Sequence, residues 1–216
     1  MGKIMLDFQW NSMKANQGWE KLALPAHDQP LWKSNGSFEA PNTVNILLKT
    51  NTDAWPPLSF AISRKCNSDI IQNLIEVGAE VNFVDELQGC NIFHDFCASR
   101  NKYVWEIIKE YATPETLNKE MVQKGATPLS CLISAQLEED NINDPDVIYL
   151  LKSFIEYGGN PNYLIYDKDY AFAVIDYLNS SDYFEYKQVL LDGMKNSPPI
   201  EDSEILIEML EGKDKD

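Results

Sequence analysis

Leu74-Ile75-Glu76-Val77-Gly78-Ala79-Glu80-Val81-Asn82 and Phe154-Ile155-Glu156-Tyr157-Gly158-Gly159-Asn160-Pro161-Asn162 are one phrase written twice. Both run apolar, apolar, Glu, apolar, Gly, small, polar, any residue, Asn. Four residues ahead of each stands an apolar pair, Ile70-Ile71 and Leu150-Leu151, a spacing that puts both pairs on one face of a helix. The glycine just past each periodic run predicts the helix stop, because glycine enters the left-handed conformation without a Cβ clash.

A second phrase opens each unit. Trp55-Pro56-Pro57-Leu58-Ser59 returns as Gly125-Ala126-Thr127-Pro128-Leu129-Ser130, and more loosely as Gly89-Cys90-Asn91-Ile92-Phe93-His94. Proline at the first helical position gives up an amide that has no intrahelical acceptor, and a preceding Thr or Asn caps the free amides. Each unit therefore reads as turn, capped helix, loop, second helix, glycine stop and an Asn-containing return. A fourth and weaker copy runs from Tyr170 through Phe172 and Ile175 to Val189-Leu190-Leu191-Asp192-Gly193, with Gly193 as its expected stop. Leu58, Phe93 and Leu129 lie 35 and 36 residues apart, and Phe172 follows Leu129 after 43. Much of the surplus falls in the polar, acidic stretch Gln136 to Asp144. In the second unit Ala112 stands near the place of the stop glycine, and Thr113-Pro114-Glu115 predicts a restart before Leu117-Asn118.

These openings and endings resemble the ankyrin repeat, whose hallmark is Gly-x-Thr-Pro-Leu-His at the start and Leu-Leu-x-x-Gly-Ala-x-x-Asn at the end. Gly125-x-Thr127-Pro128-Leu129 follows the opening closely, with Ser130 in place of His, and Gly78-Ala79-x-x-Asn82 follows the ending. The second unit keeps Gly89 and His94. The resemblance covers roughly residues 50 to 195. It implies an all-α, ankyrin-repeat solenoid of about four irregular helix-turn-helix repeats, at 50–85, 86–121, 122–166 and 167–195. A Trp-rich N-terminal capping segment, 1–49, precedes them, and a capping helix with an acidic tail, 196–216, follows. Within the cap, Asn42-Thr43 with Val44, Ile46, Leu47 and Leu48 reads as a short capped helix, and Ile205 to Leu210 reads as another after Pro198-Pro199. Terminal units of a solenoid must cover an apolar face.

The composition narrows the function. Thirty-four acids against 18 bases give a formal charge of −16 over 216 residues. Such a field repels nucleic-acid phosphates and anionic lipid, and it serves either solubility or attraction of a basic protein. The first residues lack an uninterrupted apolar core of signal-peptide length, and no stretch approaches the roughly 20 apolar residues of a membrane helix. Leu6 stands where myristoylation requires Ser or Thr. Asn35-Gly36-Ser37 and Asn179-Ser180-Ser181 fit the glycosylation triplet but carry little weight without a secretory signal. Cys66, Cys90, Cys97 and Cys131 show no paired pattern and read as reduced thiols, so the expected location is cytoplasmic.

Cys90-x3-His94-x2-Cys97 has part of a zinc spacing, but a fourth ligand is missing. The resemblance puts His94 on the ankyrin histidine, which bonds neighbouring backbone, and Cys97 on a buried helix face. Glu138-Glu139-Asp140 lacks the alternating ligands and central glycine of a calcium loop and reads as a solvated acidic face. Cys131 near a helix start has no histidine partner and reads as packing. No phosphate loop, nucleophile elbow or His-Glu-x-x-His is present. The expectation is a non-enzyme with neither cofactor nor metal.

Partner contacts are implied by the resemblance at two places. The turn tips are Asp53, Trp55, Glu86, Leu87, Gln88, Gln123, Lys124, Ala126, Asp169 and Tyr170. The inner face is Ser63, Arg64, Ala98, Ser99, Ser134, Ala135 and Tyr177. Trp55, Leu87, Tyr170 and Tyr177 are the expected anchors, since a few well-packed residues supply most interface energy. Glu86, Glu138, Glu139, Asp140, Asp144 and Asp169 would surround them with negative potential. This describes a chain, monomeric when free, that binds another protein of basic character, with no role for nucleic acid or membrane. An immunity protein neutralising a toxin fits best. An ankyrin effector aimed at a host protein, and an enzyme whose N-terminal segment is catalytic, are the alternatives.

Overall fold

The computed structural model describes residues 48–49, 54–122, 125–138, 144–166, 168–179 and 183–212. All described residues belong to one compact unit, Asn42–Asp216. The Trp-rich segment through Leu47 and the tail from residue 213 lie outside the described residues.

What is described is built from helices, apart from two-residue strands β1 (Leu48–Lys49) and β2 (Ala54–Trp55) and one isolated bridge, Val84 to Asn91. Helices α1 (Pro57–Ser63) and α2 (Ser68–Glu76) form the first pair, and α3 (Ile92–Ser99) and α4 (Lys102–Ile108) the second. A 3-10 turn, Lys109–Tyr111, and the short α5 (Pro114–Leu117) follow. The third pair is α6 (Pro128–Glu138) and α7 (Pro145–Glu156); a 3-10 stretch, Pro161–Tyr166, leads to the fourth, α8 (Lys168–Asn179) and α9 (Phe184–Asn196). Helix α10 (Ser203–Leu210) packs on α8 and α9. The helices lie in two rows. In one, α1 packs on α3 and α3 on α6; in the other, α2 packs on α4, α4 on α7 and α7 on α9.

Local chemistry explains the helix ends. Pro57 and Pro145 begin α1 and α7 at positions that need no amide. Asn67, Asn91, Asn101 and Asp144 each accept a backbone N–H of the following first turn. Thr113 and Thr116 satisfy one another's amides and restart the chain as α5, which is why the second unit needs no stop glycine. At the two quoted endings the bonds are the same. Gly78 N–H donates to Ile75 O and Ala79 N–H to Leu74 O, and Gly158 and Gly159 donate likewise to Ile155 and Phe154. Both glycines are left-handed, at φ +92° and +102°.

Successive units are also joined by hairpins. Leu48 pairs with Trp55, and 36 residues later Val84 pairs with Asn91. A further turn is closed by Met121 N–H donating to Ala126 O (2.9 Å), and Val122 N–H reaches back to Gln88 O at 2.9 Å. Leu48 is thus in a strand, not in the expected capped helix, because hairpin pairing satisfies its backbone instead. Gly89 (φ +75°) sits in the second hairpin, where a Cβ would come within 2.9 Å of the Glu120 carbonyl oxygen. Gly89→Ala is expected to lose about 1–3 kcal/mol by urea unfolding, from left-handed strain and backbone collision together. Gly78→Ala, with nothing within 4 Å of its Cβ site, should lose only the conformational part, about 1 kcal/mol. Equal losses would mean that the collision is relieved at no cost.

The fourth unit departs from the expectation. Gly193 is not a stop; it lies inside α9, where a Cβ would meet Ile155 Cδ1 at 2.8 Å and Pro161 Cγ at 3.2 Å. Close helix approach, not a turn, requires glycine there. Among the described residues no hairpin precedes this unit: Pro161 has no N–H to lend to a ladder, and Asn160 Oδ1 accepts Asn162 N–H to start the 3-10 turn.

Candidate partner-binding surface

The groups with chemical potential are tied into the scaffold. Asn91 N–H donates to His94 Nδ1 (3.2 Å), so Nε2 carries the proton and donates to Ala126 O at 3.3 Å. Burial holds the imidazole pKa down at about 4. The ring is therefore a neutral link between the second and third units. The Cys97 thiol donates to Phe93 O (3.2 Å) and Pro128 O (3.1 Å), and burial pushes it well above the usual thiol range. Burial likewise pushes Cys90 up to about 12. Both stay protonated, which suits neither a nucleophile nor a metal ligand. Among the described residues no group of three or more His, Cys, Asp or Glu side chains could hold a metal ion.

The expected contact residues fall into three groups. Asp53, Gln123, Lys124, Glu139 and Asp140 lie outside the described residues; Trp55 lies in β2 and Glu138 ends α6. Glu86, Leu87, Gln88, Ser63, Arg64, Ser99, Asp169 and Tyr177 reach the surface, wholly or in part. Ser63 and Ser99 hydroxyls donate to carbonyls of their own helices, and the Arg64 guanidinium lies 5.3 Å from the Phe60 ring centre. Tyr177 pairs with Tyr183, ring centres 5.6 Å apart and hydroxyls at 3.1 Å.

Ser134 and Tyr170 require correction. They are 2% and 6% exposed, with the Tyr170 hydroxyl donating to Ser134 Oγ at 2.5 Å and Ser134 donating to Ser130 O at 2.9 Å. A buried hydroxyl needs a partner, and each supplies one to the other across α6 and α8. They hold the third and fourth units together and are not available to a partner. Ala126, expected at a tip, is also fully buried.

The hairpins present the opposite picture. Asp85 Oδ1 accepts the N–H groups of Leu87 (2.7 Å) and Gln88 (3.0 Å), fixing a turn that leaves Leu87 83% exposed. Val122, on the next hairpin and bonded through its N–H to Gln88 O, is 68% exposed. Glu86 and Glu120 are exposed beside them, with Lys119 the described cation nearby in sequence. Val122 lies just ahead of the expected tip residues Gln123, Lys124 and Ala126. The signal for it was a lone valine at the place of Glu86, 36 residues on. Sequence reading also missed Phe184, 77% exposed at the start of α9, and Tyr103, exposed on α4.

No family model matches the chain, and no curated protein matches it either. No described helix is long and apolar enough to cross a membrane.

Proposed function

We propose that this chain is an ankyrin-type solenoid that binds a basic protein stoichiometrically through its hairpin tips, as an immunity protein binds a toxin. The observation that carries the reading is the pairing of Leu87 and Val122. Two large apolar side chains stand in water on adjacent hairpins whose backbones are hydrogen-bonded to each other. A solenoid that only needed to be folded would gain nothing from them there, whereas a partner that covers them gains apolar burial at a preorganised site. The neighbouring carboxylates Glu86 and Glu120 and the net charge of −16 favour a cationic partner and speed its arrival. The 36-residue hairpin period, the doubled helix ending at Gly78 and Gly158, and the backbone-bonded His94 support the ankyrin reading.

The test is capture from the native source on the immobilised chain and on a Leu87→Ser/Val122→Ser variant, at low and at high salt. A basic protein held by the native chain, weakened by salt and weakened at least roughly 30-fold by the double variant, is expected. Both substituted side chains are exposed, so thermal unfolding should be unchanged. A partner held equally by the variant would remove the tips from the interface, and one indifferent to salt would remove the charge argument.

A further inference from the structure

The seams between units are not made of the same chemistry. Between the second and third, Phe154 of α7 stacks on Trp105 of α4 at 4.3 Å and on Phe96 of α3 at 5.8 Å. Between the third and fourth, α6 brings two buried polar side chains, Ser134 and Gln136, and each meets a tyrosine hydroxyl. Tyr170 of α8 donates to Ser134 Oγ at 2.5 Å, and the fully buried Tyr186 of α9 donates to Gln136 Oε1 at 2.8 Å. The amide end of Gln136 donates to Val147 O at 3.1 Å, in the first turn of α7, which fixes the side chain that Tyr186 grips.

The last turn of α9 is held in another way. Gly193 brings it against the end of α7, so closely that a Cβ there would meet Ile155 Cδ1 at 2.8 Å and Pro161 Cγ at 3.2 Å. The Asn160 side-chain amide donates to Pro198 O at 2.8 Å, and that of Asn162 donates to Met194 O and Pro198 O, each at 3.1 Å. The return of the third unit is thus tied to the end of α9. Helix α10 packs on α8 and α9, and Asn179 at the end of α8 donates to Met209 O at 2.9 Å, so the three helices form one body.

We propose that α8, α9 and α10 form a clasp, pivoted at Gly193 and latched by the Tyr170 and Tyr186 hydroxyls, that swings away from α6 as one body while the first three units stay together. Parting an aromatic seam leaves carbon against water. Parting the latch lets two phenols, a serine and an amide exchange protein partners for water, which recovers much of their hydrogen bonding. Coupling along a solenoid is set by such seams, so the break falls between the third and fourth units. The bonds from Asn160 and Asn162 lie beside the turning point, where a small rotation displaces them least. Opening parts α8 from α6 and presents Ser134 and Gln136 on a face that the latched form closes. None of this rests on the hairpin tips binding a partner.

The test uses the full chain carrying Ser134→Cys, which puts a reporter thiol inside the latch at almost unchanged size. Its reaction with a small aromatic disulfide reagent is compared with that of Cys97, which bonds across the second and third units. Each rate is divided by the rate in the urea-unfolded chain. The reporter is expected to react at least about tenfold faster than Cys97, and Tyr186→Phe should speed it about fivefold or more while Cys97 keeps its rate. A swinging body keeps its helices, so the amides of Val174 and Leu190 should be at least about tenfold better protected than the reporter. The unsubstituted chain supplies a second readout: nitration of Tyr186 by tetranitromethane, referred to the unfolded chain, should track the reporter and not Cys97. A reporter no faster than Cys97, a Tyr186→Phe that speeds both thiols alike or neither, Tyr186 nitration no faster than Cys97 labelling, or α8 and α9 amides that open as readily as the latch would each overturn the clasp.

Discussion

Replacing Trp105 by alanine is expected to lower unfolding free energy by roughly 3–5 kcal/mol, the largest single effect in the described structure. Trp105 is fully buried on α4, where it meets both helix rows. Its ring stacks on Phe154 of α7 at 4.3 Å and 22°, tilts against Phe96 at 5.7 Å, and meets Phe93 and Tyr157 edge-on. Its Nε1–H donates to Ser153 Oγ at 2.7 Å, which satisfies the only polar atom of the side chain. Alanine would leave a cavity between the second and third units and strip Ser153 of its donor. Trp105→Phe should recover most of the loss, whereas Ser153→Ala should cost about 1–2 kcal/mol by orphaning the indole N–H. Equilibrium urea unfolding checks all three. A loss below about 1 kcal/mol for Trp105→Ala would show that the aromatic stack is not the joint between these units.

The second large effect is a gain. Asp95→Asn is expected to stabilise the protein near pH 7.5 by on the order of 2–4 kcal/mol, and hardly at all near pH 4. The folded protein holds the Asp95 proton up to about pH 7, while the unfolded chain releases it near 3.8. The folded state thus binds more protons throughout that window, and its stability falls as pH rises through it. His94 acts in the opposite sense. Its folded pKa is about 4 against 6.5 unfolded, so stability is present above 6.5 and is lost as pH falls from there to 4. From about pH 4 to 6.5 the two neighbours nearly cancel, and this pair leaves the native protein almost pH-independent. Asp95→Asn unmasks His94, so stability of the variant should climb with pH over that range. A variant that is less stable at every pH, or more stable by a constant amount, would contradict the upward shift that burial gives Asp95.

Surface ion pairs promise much less. Lys102 with Asp146 (2.7 Å) and Lys152 with Glu185 (2.9 Å) bridge α4 to α7 and α7 to α9, and Tyr149 donates to Glu106. All are solvent-exposed, where such pairs contribute about 0–1 kcal/mol. They align neighbouring helices without dominating their stability.

Several helix ends were legible because they depend on contacts within a few residues. Gly78 and Gly158 stop their helices by donating to carbonyls three residues back, and Ala79 and Gly159 after them donate to carbonyls five residues back. Asn91 caps α3 through amides two and three residues ahead. The Thr113 restart and the α10 helix after Pro199 follow the same logic. Gly193 shows where this logic ends. Val189-Leu190-Leu191-Asp192-Gly193 reads like the other endings, yet the helix runs on to Asn196, because the glycine answers to Ile155 and Pro161 on other elements.

The candidate surface was legible only in part, for the same reason. Leu87 beside Glu86 in an Asp-initiated turn could be placed at a tip from local sequence. Val122 could not, since its exposure follows from the hydrogen bond that lays its hairpin beside Gln88. Tyr170 and Ser134 looked equally suited to a partner and turned out to be each other's partner.

By itself the sequence determined most of the helices, caps such as Asn91 and Thr113, and the stops at Gly78 and Gly158, since each is decided by backbone hydrogen bonding and φ preference over a short span. The tertiary structure alone decided which polar and aromatic side chains face water and what a buried acid has for company. Burial is a property of whichever element lies across a residue, and Tyr170 and Ser134 are hidden by one another's helices.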